Sequence, residues 1–71
     1  MGRAHVIVHN DLLGRLNGEL REKVTVINFR PFCDDTVIAL VSSDALPEGY
    51  HGQQDIIIDG SEIRFRKDLD V

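Results

Sequence analysis

The sequence predicts an α+β domain dominated by β-structure, with about five mostly antiparallel strands in a small curled sheet or open barrel and one short helix. Three observations point there. Ile56-Ile57-Ile58 and Ile63-Arg64-Phe65 flank an Asp59-Gly60 turn, Val24 to Phe29 and Thr36 to Val41 are rich in β-branched residues, and Leu12, Leu13, Leu16 and Leu20 fall on a helical stripe. The 71 residues read as a single domain, 1 to 71. A chain this short buries only about 60 percent of the surface it exposes when unfolded, so its stability margin is narrow and self-association is a common remedy.

Ala4 to His9 alternates as a strand, with Ala4, Val6 and Val8 on one side and His5, Ile7 and His9 on the other. The leucine stripe then fits a helix over residues 11 to 17, with Asn10 or Asp11 as N-cap and the left-handed-tolerant pair Asn17-Gly18 as its end. Gly14 and Gly18 each weaken a helix by about 1 kcal/mol relative to Ala, so a hairpin turning at Asn17-Gly18 is the competing reading of residues 11 to 22.

Val24 to Phe29 and Thr36 to Val41 read as two strands of a hairpin. Pro31, which lacks an N–H, is expected to end the first of them. Val37 to Val41 is apolar on both faces, which predicts a central strand covered on each side. Residues 43 to 53 contain Pro47, Gly49 and Gly52 without any period and read as one long loop. Asp59-Gly60 suits a type I′ turn, and as a two-residue loop it sets Ile56 opposite Ile63, Asp55 opposite Arg64 and Gln54 opposite Phe65. Ile56, Ile58, Ile63 and Phe65 then share one face. Asp68 to Val71 are expected to fray.

Charge gives the only indication of a partner. From Asp34 to Glu62 there are seven carboxylates and no Lys or Arg, although the whole chain has a net charge of only -4. Such a surface repels phosphate and attracts cations over about one Debye length, roughly 8 to 10 Å, which makes direct nucleic-acid binding a poor fit. In the loop, Tyr50-His51 offers aromatic contact area with polar tips.

Catalytic and metal chemistry find little support. His5 and His9 are about 13 Å apart if they lie on a strand, too far to share a metal, and His51 is remote in sequence. Cys33 is followed by Asp34-Asp35, and adjacent carboxylates disfavour a reactive thiolate. A Cys33 and His51 pair has no local catalytic motif around it, there is no calcium or phosphate-binding loop, and no cofactor is implied. Arg64, Arg66 and Lys67 form the one basic cluster, with Asp55 as a neighbour in the expected hairpin.

The stretch Ile57 to Ile63 loosely resembles the isoleucine-basic-glycine signature of Sm-like RNA-binding subunits. Asp59 stands where that signature is basic, and Val24 to Ile58 is too short for the intervening strands, so no family is assigned.

The sequence therefore predicts a small, soluble, cytoplasmic, non-enzymatic protein-binding module with no membrane segment. Its acidic face and the 44 to 53 loop would dock on the basic surface of a larger protein through Asp34, Asp35, Asp44, Glu48, Tyr50 and His51. A nucleic-acid-mimic inhibitor of a DNA- or RNA-handling enzyme is the alternative, and a small-ligand-binding domain the third reading. A homodimer paired through strand 62 to 66 or strand 4 to 9 is also expected.

Overall fold

A computed structural model describes residues 2–49 and 51–67, so the expected fraying of 68 to 71 lies outside the described residues. Alternation sets the buried side of the sheet. Along β1 (Gly2–His9) every second residue is buried, and β3 (Thr36–Ser43) buries Val37, Ala39, Val41 and Ser43 in the same way. The two strands pair antiparallel with Ala4 opposite Val41 and Val6 opposite Ala39, which joins the buried halves into one apolar face.

Helix α1 (Asn10–Asn17) follows β1 directly and lays Leu13 and Leu16 on that face. Leu20, in the turn beyond it, completes the stripe. Asp11 in the first turn and Arg15 in the last both suit the helix dipole, and Arg15 reaches Glu19 at 2.8 Å. Two details differ from expectation. The N-cap is His9, with no side-chain cap, and Asn10 is already helical. Gly18 does end the helix, but at φ -109° it is not left-handed; a Cβ there would lie 3.1 Å from the Gly14 carbonyl oxygen, so close backbone approach is what favours glycine.

Strand β2 (Val24–Cys33) runs past Pro31, which was expected to end it. It can do so because β2 is an edge strand, where one side of the backbone needs no ladder partner, and because the register slips near Ile27 and again near Phe32. The link to β3 shrinks to Asp34-Asp35, with Asp34 in the left-handed region at φ 48° and the Asp35 carbonyl accepting from Asn10 N–H. β3 is an interior strand as expected. It is covered on one side only, for Ile38 and Leu40 are half-buried on the other.

The loop after β3 is shorter than expected, because β4 (His51–Asp59) begins at His51 and takes in Gly52 and Gln53. Ser43 anchors the loop: its hydroxyl donates to the Lys23 carbonyl at 2.9 Å and accepts from Ala45 N–H at 3.1 Å, while Leu46 drops into the core. β4 pairs parallel with β1 from His51 to Gln53, giving the mixed order β2-β3-β1-β4-β5. β1 is therefore an interior strand, and the stretch from Arg3 to His5 of the expected dimer edge at 4 to 9 is already paired on both sides.

The C-terminal hairpin forms with β5 (Glu62–Lys67), but its register is displaced. Gly60-Ser61 is the loop, so Asp59 faces Glu62, Ile58 faces Ile63, Ile56 faces Phe65 and Asp55 faces Arg66. Only Gly60 has positive φ, at 66°, which matches a II′ pattern and not the I′ turn that needs two such residues. Each partner moves by two positions, so side-chain parity is preserved. Ile56, Ile58, Ile63 and Phe65 still share the face that packs against the core. The charge pair becomes Asp55 with Arg66, at 3.2 Å, in place of Arg64.

β4 leaves β1 after Gln53, and the hairpin curls over the same side that α1 covers. The sheet curls without closing. The Cα radius of gyration, 11.2 Å, is that of a compact chain of this length, about 11 Å. Leu16 is fully buried and Ile7 is 39% exposed. In urea titrations Leu16→Ala is expected to cost about 2 to 5 kcal/mol, and Ile7→Ala below about 1 kcal/mol. Equal losses would contradict the one-sided core.

Candidate protein-binding surfaces

The open seam lies between the first and last strands of the sheet. Lys23, just before β2, donates through Nζ to the Ser61 carbonyl at the tip of the β4-β5 hairpin, 2.5 Å away. Around that contact is a groove of about 320 Å³ lined by Glu22, Lys23, Ser43, Asp44, Ala45, Glu62 and Ile63. Three acidic residues, from the turn after α1, the loop after β3 and the start of β5, thus line one opening together with Lys23. Ala45 and Ile63 contribute apolar wall.

The residues singled out from sequence do not form one patch. Asp44 lines the groove, and Glu48 is exposed in the same loop. Asp34 and Asp35 sit at the opposite end of β3, about 27 Å away by the rise of its eight residues. Tyr50 lies outside the described residues, and His51 is placed by its backbone alone, beside Arg3. Glu22 and Glu62 were missed because they are far from Asp44 in sequence; only the curl of the hairpin brings them in. A nucleic-acid mimic needs carboxylates in a row at phosphate-like spacing, whereas these acids fall at separate strand ends.

Cys33 is exposed at the β2-β3 tip, its Sγ 4.0 Å from Asp34 Oδ2. It lies at the His9 end of β1, whereas the His51 backbone pairs at Arg3, about 20 Å along the strand. The fold does not bring them together. Among the described residues no three His, Cys, Asp or Glu side chains converge on a metal position, and no helix is long and apolar enough to cross a membrane. No protein-family model, curated protein or solved structure matches the chain.

The Lys23 contact ties the seam, so Lys23→Met is expected to cost about 0.5 to 1 kcal/mol and to speed hydrogen exchange of the hairpin-tip amides. Unchanged exchange at the tip would show that the seam is held by packing alone.

Proposed function

We propose that the chain is a small non-catalytic protein-binding module that docks an acidic surface on a cationic region of a larger partner. The observation supporting this reading is the meeting of Glu22, Asp44 and Glu62 around one groove with an apolar wall. A Lys or Arg side chain entering there would place its charge among carboxylates and its methylenes against Ile63. Neighbouring Asp59, paired opposite Glu62, and exposed Glu48 extend the negative field around the opening. The lone exposed Cys33 fits a reducing cytoplasm.

Charge reversal separates the two ends of β3. In the double variant Asp44→Lys with Glu62→Lys, affinity for a lysine-rich probe peptide is expected to fall about tenfold or more, with binding that weakens as salt is added. Asp34→Lys with Asp35→Lys should change it far less. Binding that ignores salt and both double variants would sink the proposal.

Self-association through β5 is part of the same reading, since β5 is an edge strand with an unpaired backbone side. Light scattering of the full chain at micromolar concentration is expected to give twice the 8.0 kDa chain mass. A monomer that persists as concentration rises would remove the dimer.

A further inference from the structure

Among the described residues, no element covers the side of β1, β2 and β3 that faces away from α1. Directly opposed residues share a face, so the registers put His5 beside Leu40 and Ile7 beside Ile38, with Arg30 next to Ile38 on β2 and Arg3 beside Ser42 on β1. Asn28 lies beyond Leu40, and a shallow hollow of about 330 Å³ is lined by His5, Asn28, Phe29, Arg30, Ile38 and Leu40.

The charge on this face opposes that of the molecule. β1, β2 and β3 contain no Asp or Glu at all, while the chain has a net charge of -4. The face carries the guanidiniums of Arg3 and Arg30 and the exposed imidazoles of His5 and His9 around an aliphatic floor. Neither arginine joins the ion pairs found among the described residues, which are Arg15 with Glu19 and Arg66 with Asp55. Four residues along the strand and two strands across separate the Arg3 and Arg30 backbones by about 16 Å, the span of about five extended residues.

We propose that this open face docks an acidic, aliphatic-rich segment of a partner protein. Its carboxylates pair with Arg3 and Arg30, and its apolar side chains cover Ile7, Ile38 and Leu40. Charge complementarity selects this occupant. A second copy placed face to face would bring guanidiniums together with no carboxylate between them. Nucleic acid is the poorer occupant, because base stacking wants several aromatic rings, whereas Phe29 is the one Phe, Tyr or Trp lining the hollow and the floor of Ile7, Ile38 and Leu40 is aliphatic. The edge of β2 is a poorer docking line, since two register slips and Pro31 interrupt its ladder.

The test is a chemical-shift titration of the full ¹⁵N-labelled chain with a synthetic peptide of alternating Glu and Leu, beside an alternating Lys and Leu peptide and a short oligothymidylate. The Glu-Leu peptide is expected to shift amides of β1, β2 and β3 around His5, Ile7, Arg30 and Ile38. Arg3→Glu with Arg30→Glu should weaken that binding about tenfold or more while leaving the urea midpoint near wild type. Both arginines are exposed, and an equal midpoint excludes misfolding as the cause. Tighter binding of oligothymidylate on the same face would transfer the site to nucleic acid. Shifts confined to the Glu22 and Glu62 groove, no shifts at all, or an affinity indifferent to the arginine reversals would each overturn the proposal. The seam reading stands or falls separately, because it is tested by acidic variants on the other side of the sheet.

Discussion

A single helix of eight residues must shield the apolar side of a five-stranded sheet, and it is too small to do so. At 1.5 Å per residue it is about 12 Å long, whereas five strands at their usual spacing span about 19 Å. Leu13, Leu16 and Leu20 therefore share one core with Ala4, Val6, Val37 and Ala39, and the remaining apolar surface has to find other cover. The β4-β5 hairpin supplies it by leaving β1 after Gln53 and folding Ile56, Ile58, Ile63 and Phe65 inward. The curl, the open seam and the Lys23 to Ser61 contact all follow from that shortage.

The same arrangement sorts charge. Strands β1, β2 and β3 have no acidic residues, so the carboxylates of this half of the chain are confined to the helix, turns and loops. One consequence is an acidic opening where the turn before β2, the loop after β3 and the hairpin tip converge. The other is an open sheet face with arginine and histidine around Ile7, Ile38 and Leu40. A net charge describes neither surface. Partners of opposite sign would be drawn to different sides, because exposed charges are screened within about 10 Å and act locally on a molecule 28 Å across.

Much of the strand and helix content was legible, since it depends on neighbours in sequence. Ala4, Val6 and Val8 declare their shared side by alternation, and Leu13, Leu16 and Leu20 declare theirs by helical spacing. The hairpin shows the limit of such reasoning. Its inward face was correct because parity survives a two-residue change of partner, but the turn moved to Gly60-Ser61 and Asp55 took Arg66 in place of Arg64. Asp-Gly allows a I′ turn without compelling it, and packing of Ile58 against Ile63 chooses between registers of equal parity. Pro31 was misleading for a related reason: whether a strand tolerates proline depends on whether it lies at an edge, which local sequence does not encode.

The sequence by itself determined the strand and helix types, the buried parity of β1 and the hairpin, and the absence of acids from three strands. Each is a property of residues a few positions apart. Tertiary structure alone decided that β1 is central, that β4 runs parallel beside it, and that Glu22, Asp44 and Glu62 meet. Those are contacts between segments distant along the chain, selected by how a short helix and a curling hairpin share one apolar face. Asp34-Asp35 and Asp44 belong to a single acidic run in sequence, yet the extended backbone of β3 holds them at opposite ends of the molecule.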